Sequence, residues 1–109
     1  MSYKVKTIPP FDKQIKRLAK KFPSLKNDYA LLIHQLEIKP SVGIPIGNNC
    51  FKIRMAIASK GKGKSGGARI ITHILVSENA VYLLAIYDKS EQVNMPDAEL
   101  KSLLAFIAD

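Results

Sequence analysis

Basic side chains flank a glycine-rich segment in the middle of the chain. Residues 61–70 read GKGKSGGARI and lie between two apolar, β-branched runs. Glycine permits positive φ and a close approach of the backbone to a ligand, and clustered lysine and arginine side chains suit a phosphate-rich ligand. A lysine-rich hairpin loop that only aids solubility is the alternative interpretation. The candidate phosphate-binding residues are Lys52, Arg54, Lys60, Lys62, Lys64 and Arg69.

The segment does not match the P-loop of nucleotide-binding proteins. It contains the sequence GKS, but Ala58 stands where the first glycine of the pattern G-x-x-x-x-G-K-[ST] is required. A strand pattern follows it, where a P-loop would lead into a helix. The sequence therefore argues against nucleotide binding of this type.

The remaining reactive residues narrow the chemistry further. The two histidines, His34 and His73, and the single cysteine, Cys50, form no zinc-binding pattern. His73 is either a proton donor or acceptor on the basic surface or a packing residue. The basic segments lack paired carboxylates, which argues against metal-dependent nucleases and glycosidases. Ser65 has no evident general base, which argues against a serine hydrolase.

Net charge points to a polyanionic partner. The 109 residues include 17 lysines and arginines against 9 acids, a formal charge of +8, which favours RNA, DNA, a membrane surface or an acidic protein. Residues 1–26 hold eight basic side chains and one acid, and residues 48–69 hold six and none. The length suits one domain, residues 1–109. Without an apolar signal core or a long apolar run, we expect a cytoplasmic protein.

Hydrophobic periodicity predicts an α+β domain with element order β-α-α-β-β-β-α. Strands are predicted at residues 3–8, 50–58, 68–77 and 80–89, helices after Pro10, Ser24 and Pro96, and a loop at residues 41–49. We expect an antiparallel sheet with the helices packed on one face. Phe11, Ile15 and Leu18 form the apolar stripe of the first helix, and Ser24 is the expected cap of the second.

Alternation predicts which side chains of the strands share a face. In the second strand, it separates Lys52 and Arg54 from Ile53. In the last strand, alternation places Tyr87 and Lys89 on one face, and Tyr82, Leu84 and Ile86 in the core.

Two stretches carry a family resemblance that spans nearly the whole chain. They are FKIRMAIASKGKGKSGGARII and VYLLAIYDKSEQVNMPDAELKSL, with G-K-S-G-G-x-R in the first and Y-x-K-x-E in the second. With the predicted element order, they resemble the RelE/ParE superfamily of toxins from type II toxin–antitoxin systems, in particular its RelE- and HigB-like members. The resemblance implies a RelE-like fold.

The resemblance also implies a ribosome-dependent endoribonuclease that cuts mRNA in the A site without a metal or other cofactor. The ribose 2′-hydroxyl would attack the adjacent phosphate and leave a 2′,3′-cyclic phosphate. By resemblance, Arg69 stabilises charge, and Arg54 and Lys52 bind phosphate. Lys64 contacts RNA or acts as a base. Tyr87 stacks on a base or exchanges a proton. Lys89 is the acid or a phosphate contact. His73 stands where related toxins often carry an aromatic residue. We expect it to contact RNA or the ribosome, together with Lys52, Lys60, Lys62 and Lys64.

The implied partners are a cognate antitoxin, the ribosome with its mRNA, and operator DNA reached through the antitoxin complex. Two other functions stay open at this stage. One is a ParE-like gyrase inhibitor without nuclease activity, and the other is a non-catalytic RNA-binding module.

Overall fold

A computed structural model describes residues 2–61 and 63–107 of the chain. Strand β1 spans Lys4–Thr7, helix α1 Pro9–Lys21 and helix α2 Leu25–Ile38. Strands β2, Ile44–Gly47, and β3, Cys50–Met55, precede the glycine-rich loop. Strands β4, Ala68–Leu75, and β5, Ala80–Asp88, follow it, and helix α3, Asp97–Leu104, comes last. The predicted α+β class is confirmed.

The five strands form one sheet in the order β1-β5-β4-β3-β2. The meander β2-β3-β4-β5 is antiparallel, as expected, but β1 pairs with β5 in parallel. Parallel pairing is possible here because β1 and β5 are not joined by a tight turn. Helices α1 and α2 carry the chain from β1 to β2 at the far edge of the sheet, and the meander then leads back to β5. The expectation of a purely antiparallel sheet is therefore wrong for this one strand.

One face of the sheet forms the main core. Ile53, Ile70 and Ile86 occupy one continuous row across β3, β4 and β5, and all three are buried. Buried residues of α1 and α2, among them Phe11 and Leu36, belong to the same core. The apolar spacing of both helices predicted their inner faces, because residues three and four apart share one side of a helix.

Helix α3 corrects the expectation that all helices pack on one face. Leu100 of α3 lies beside Lys52 and Ile71, and these two side chains alternate with Ile53 and Ile70 along their strands. The third helix therefore lies on the opposite side of the sheet from the Ile53 row, and its side chains help to bury Ile71.

A β-bulge changes the facing of β5. Ile71 pairs with Ala85, but the next residue, Thr72, pairs with Leu83, so Leu84 is an extra residue. Tyr82 therefore does not share the inner face of Ile86, as strict alternation predicted. It is half-buried, and its hydroxyl donates to the exposed Glu78 carboxylate at 2.9 Å.

Two boundaries also differ from the sequence prediction. The predicted loop at residues 41–49 contains the short strand β2, which is exposed throughout and joins β3 through a turn with positive φ at Asn48 and Asn49. The predicted strand at residues 50–58 stops at Met55, and residues Ala58–Lys60 form a 3-10 turn. No helix in the described part of the chain is long and apolar enough to cross a membrane.

Candidate nucleic-acid interface

Arg69 holds the glycine-rich loop in place from beneath. Its side chain is 4% exposed, and its guanidinium donates to the carbonyl oxygens of Lys64 at 3.0 Å, Ser65 at 3.2 Å and Ala68 at 3.2 Å. Among residues 2–61 and 63–107, no carboxylate lies within 4.0 Å of it. A buried cation satisfied only by carbonyl dipoles keeps its full positive charge close to the loop.

The loop requires its glycines for two different structural reasons. Gly61 and Gly63 have φ of +70° and +64°, the left-handed region that glycine adopts at little cost. Gly67 has ordinary φ, but a Cβ there would clash with the carbonyl oxygen of Met55. The predicted close approach therefore exists, but Gly67 makes it to the last residue of β3 and not to a ligand.

An open groove about 290 Å³ in volume joins three basic side chains. Lys52 and Arg54 reach it from β3, and Lys64 reaches it from the loop. Arg54 pairs with Arg69 across β3 and β4, so the exposed arginine lies beside the buried one in the sheet. We call this set, Lys52, Arg54 and Lys64, the basic groove. The sequence predicted its members from strand alternation and from the lysine in the loop.

Glycine also shapes the wall of the basic groove. Gly43 has φ of +107°, and a Cβ there would lie 2.6 Å from the carbonyl oxygen of Lys52. The chain between α2 and β2 therefore passes close against β3 at this point. From the sequence, Gly43 was part of the predicted loop at residues 41–49 and nothing more, because its contact is with a residue nine positions away.

Tyr87 lies next to Arg69 in the sheet but is withdrawn from the surface. It pairs with Arg69 across β4 and β5 and is 3% exposed. Burial raises the pKa of its hydroxyl, with a further rise from Glu99, while the charge of Arg69 lowers it. The hydroxyl oxygen has no hydrogen-bond partner among the described residues. The neutral Tyr87 hydroxyl therefore has an O–H group that is available to donate a hydrogen bond.

Lys89 is exposed on the other side of the loop from the basic groove. Its backbone N–H donates to the carbonyl oxygen of Gly67 at 3.2 Å, and its side chain borders a cleft of about 260 Å³ with Lys60, Ser65, Gly66 and Ser90. The structure therefore brings Lys89 to the loop but not to Lys52 or Arg54.

Lys60 is engaged in a buried ion pair. Its ammonium lies 2.8 Å from Oδ1 of Asp88, with side-chain exposures of 13% and 1%, and 5.3 Å from the Phe22 ring centre. Burial alone would raise the pKa of Asp88, but hydrogen bonds from Lys60 and Ser90 outweigh it and lower that pKa. Lys60 thus fastens the start of the glycine-rich loop to the end of β5.

A second fastening attaches the same turn to α2. The Ser24 hydroxyl donates to Asp28 at 2.8 Å and accepts the N–H of Ser59, also at 2.8 Å. Asp28 accepts the N–H of Ala58 at 3.2 Å. The sequence predicted Ser24 as a helix cap, but its side chain serves this contact between segments. No local signal marks such a contact, since its members are 30 and 35 residues apart in the chain.

His73 is separated from the basic groove. It lies four residues along β4 from Arg69, roughly 13 Å at the usual strand rise, and lines a different cavity with Asn48, Leu75 and Glu78. Its Nδ1 is 3.5 Å from the Cys50 thiol. Burial lowers the pKa of His73, opposed by a backbone hydrogen bond at Asn48, and burial raises the pKa of Cys50 to about 11.

The predicted RNA contact Lys62 lies outside the residues that the structure describes. Within the described ranges, no group of three or more histidine, cysteine, aspartate or glutamate side chains is arranged to hold a metal ion. Sequence reasoning missed Asp88 altogether, because a lone aspartate at a strand end carries no motif.

Comparison with solved structures identifies the fold. A mutant of the E. coli toxin RelE in the free state is 10% identical, with a TM-score of 0.62 over 97% of this chain and 94% of that one. The toxin–antitoxin complex RelBE2 of Mycobacterium tuberculosis is 17% identical, with a TM-score of 0.61 over 81% and 92%. The isolated E. coli RelE toxin is 12% identical, with a TM-score of 0.53 over 95% and 98%. No protein-family model matches the chain. The chain has the fold of RelE toxins.

Proposed function

We propose that this protein is the toxin of a type II toxin–antitoxin system and acts as a ribosome-dependent, metal-independent endoribonuclease on mRNA. The observation that carries the proposal is the basic groove beside the buried Arg69, which pairs with Arg54 across β3 and β4. The exposed Arg54 and Lys64 and the half-buried Lys52 line this groove, and Arg69 has no carboxylate within 4.0 Å among the described residues. The fold shared with RelE toxins supports the same assignment.

The reaction is an internal transfer of the phosphoryl group. The 2′-oxygen of a ribose attacks the adjacent phosphorus, and the bond from phosphorus to the 5′-oxygen breaks. The products are a 2′,3′-cyclic phosphate and a 5′-hydroxyl. One group must take the 2′ proton and another must protonate the leaving oxygen. Positive charge must stabilise the oxygens of the transition state.

We assign the electrostatic part to the two arginines. Arg54 is exposed and reaches a bound phosphate directly, with Lys52 beside it. Arg69 acts without direct contact, because it is buried and its Nη1 and Nη2 donate to loop carbonyls, and it supplies a fixed charge and a fixed loop. Such preorganised charge costs no reorganisation during the reaction.

We assign the proton transfers to three residues. Lys64 borders the basic groove and is the candidate base. Lys89 and Tyr87 are the candidate acids. Tyr87 contributes only if its buried hydroxyl meets the substrate, since the ring is 3% exposed. Lys60 and His73, both predicted as RNA contacts, receive no substrate contact here. Lys60 is paired with Asp88, and His73 lines another cavity.

A toxin of this kind requires a partner that restrains it, and we propose an acidic antitoxin segment over the basic groove. The RelBE2 protein of M. tuberculosis was solved as a toxin–antitoxin complex. Negative side chains would neutralise Lys52, Arg54 and Lys64 and would compete with RNA.

The test maps transcript 5′ ends in bacteria shortly after induction of the protein. We expect new ends inside translated codons, and we expect them to vanish when translation is blocked. Arg54→Gln should reduce them roughly 100-fold, the usual cost of removing one electrostatic donor. Lys26→Gln removes an exposed charge from α2, outside the groove, and should change nothing. Purified protein that is first treated with EDTA and then freed of the chelator should cleave mRNA on purified ribosomes, which keep their own Mg²⁺, as fast as untreated protein.

Each alternative gives a different result. Growth arrest without new ends, together with loss of gyrase supercoiling, would replace the nuclease with a gyrase inhibitor. RNA binding without arrest or new ends would leave a non-catalytic binding module. Equal loss in Arg54→Gln and Lys26→Gln would mean that net charge alone matters, and would remove the basic groove from the proposal.

A further inference from the structure

Helix α1 carries a second positively charged surface that the proposed reaction does not use. Lys13, Lys16 and Lys20 are exposed, while Phe11 and Leu18 on the same helix are fully buried. At about 100° per residue, the three lysines fall within one narrow stripe directly opposite the buried side. We call these three residues the α1 basic face.

The charges of the α1 basic face are not balanced by acids. Among residues 2–61 and 63–107, no carboxylate lies within 4.0 Å of the three ammonium groups. The neighbouring Arg17, in contrast, forms an ion pair with Glu91 at 3.3 Å. Lys16 and Lys20 are four residues apart, and like charges at this spacing destabilise a helix. A bound polyanion would remove that repulsion.

The α1 basic face and the basic groove lie in different parts of the molecule. Helix α1 packs on β5, where the Gln14 amide oxygen accepts the N–H of Ile86 at 3.1 Å. The basic groove lies at β3, two strands away from β5 in the sheet. Arg54 and Lys64 reach from there toward α2, beside Leu31, and the pocket that they line includes no residue of α1. A single strand lying in the basic groove therefore does not cover α1.

We propose that the α1 basic face binds the phosphate backbone of double-helical RNA, as a contact separate from the basic groove. The inference rests on the proposed RNA-directed function. Proteins that hold single strands combine cations with exposed aromatic rings on which bases stack. The α1 basic face has no such ring, since Phe11 is buried. Lysines on a rigid convex helix suit the regular phosphates of an A-form duplex, which is recognised by shape and backbone.

The test compares three purified variants that each lower the formal charge from +8 to +5 by losing three cations. The first is Lys13→Gln, Lys16→Gln and Lys20→Gln. The second changes the basic groove: Lys52→Gln, Arg54→Gln and Lys64→Gln. The matched control changes exposed lysines elsewhere: Lys26→Gln, Lys39→Gln and Lys101→Gln. Circular dichroism and thermal melting establish that each variant is folded.

Fluorescence anisotropy then measures binding to two labelled probes. One is a blunt RNA duplex of about 16 base pairs, the span of a typical duplex-binding domain. The other is an unstructured single strand of roughly 12 nucleotides with 2′-deoxyribose throughout, a length within usual single-strand site sizes. The deoxyribose strand cannot be cut by 2′-hydroxyl attack, so binding is measured without cleavage.

We expect the α1 variant to lose about tenfold or more in duplex affinity, with the slope of log K against log salt reduced by about 2 to 3. Its single-strand affinity should match that of the control variant. The groove variant should show the reverse pattern. Equal losses in the α1 and control variants, or no loss of duplex binding in the α1 variant, would overturn the proposal.

The outcome is distinguishable from failure of the proposed nuclease. Duplex binding that depends on the α1 basic face, without transcript cleavage in cells, would retain the inference and remove the nuclease. Cleavage in cells with duplex affinity unchanged in the α1 variant would do the opposite. Loss of binding to an acidic protein surface, but not to duplex RNA, would identify α1 as a protein contact and also overturn the inference.

Discussion

The two cations buried around the glycine-rich loop are satisfied in different ways. Arg69 is surrounded by carbonyl oxygens, while Lys60 meets the carboxylate of Asp88. Carbonyl dipoles leave the charge of Arg69 uncompensated, whereas Asp88 cancels that of Lys60. We therefore give Arg69 an electrostatic role and Lys60 a structural one, whereas the sequence had suggested charge stabilisation by Arg69 and an RNA contact by Lys60.

The Lys60–Asp88 pair predicts a pH dependence of stability. Because the pKa of Asp88 is lowered in the folded state, its contribution is complete above the ordinary aspartate pKa of about 4 and is lost as pH falls through the folded value. Lys60→Met leaves a buried carboxylate without its cation and should cost about 3 kcal/mol at pH 7. Denaturant unfolding measures the loss.

The same variant should reverse the response to acid. Without Lys60, burial is expected to raise the pKa of Asp88, so protonation should stabilise the folded form as pH falls from 7 to about 5. The double variant Lys60→Met and Asp88→Asn removes both charges and should recover most of the loss. A Lys60→Met protein that weakens steadily on acidification, as the parent does near pH 4, would contradict this account.

At the scale of elements, the glycine-rich loop is a built connection whose ends are fixed. Lys60 and Ser59 secure its start, and Arg69 with the N–H of Lys89 secures its end. The loop between β3 and β4 is therefore more than a flexible connection. It places Lys64 in the basic groove, and the 3-10 turn Lys64–Gly66 is hydrogen-bonded to Arg69.

Gly67 and Gly61 predict two different costs for the same substitution. Gly67→Ala places a Cβ against the carbonyl oxygen of Met55, a backbone atom, and should destabilise by about 3 kcal/mol, the upper end for overpacking, as β3 and the loop separate. Gly61→Ala meets no atom within 4 Å and should cost only about 1 kcal/mol for its positive φ. Thermal and denaturant unfolding compare the two.

A second readout checks the cause. Amide hydrogen exchange at Lys89, whose N–H donates to the carbonyl oxygen of Gly67, should accelerate in Gly67→Ala and stay near the parent rate in Gly61→Ala. Equal free energies of unfolding in the two variants would mean that the close approach at Gly67 is unimportant.

The helices and the central meander could be predicted because local patterns determine them. Phe11 and Leu18 marked the inner face of α1, and alternation in β3 separated Arg54 from Ile53. The remainder depends on contacts between distant residues. The extra residue Leu84 inverts the facing of Tyr82, and no periodicity reveals a bulge. The parallel pairing of β1 and the side chosen by α3 are set by packing, and so is the withdrawal of Tyr87.

Leu84 tests the core at the bulge. Its side chain is fully buried, so Leu84→Ala loses transfer energy and leaves a cavity, with an expected cost of about 2–5 kcal/mol. Leu31→Ala makes the same change on α2, where the side chain is 67% exposed, and should stay within about 0.5 kcal/mol. Denaturant midpoints compare them. A small effect of Leu84→Ala would mean that the bulge lets the core close over the gap.

At the scale of the molecule, positive charge is concentrated in two places. The α1 basic face and the basic groove are two separate positively charged surfaces of a protein whose formal charge is +8. Such a distribution attracts polyanions from many directions and speeds their encounter. It carries no base-reading geometry by itself, because lysine contacts with phosphate are independent of sequence.

This distribution predicts how the isolated protein binds DNA. Two duplexes of unrelated sequence, one of them the presumed operator, should bind with affinities within about twofold, and log K should fall linearly with log salt. The reason is that specific recognition is usually about 10³-fold or more tighter than backbone binding and requires side chains on base edges. Anisotropy titrations at several salt concentrations measure both quantities. A thousandfold preference for the operator by this chain alone would contradict the proposal that an antitoxin supplies DNA specificity. Loss of that preference in Lys13→Gln, Lys16→Gln and Lys20→Gln would then identify α1 as the reading element.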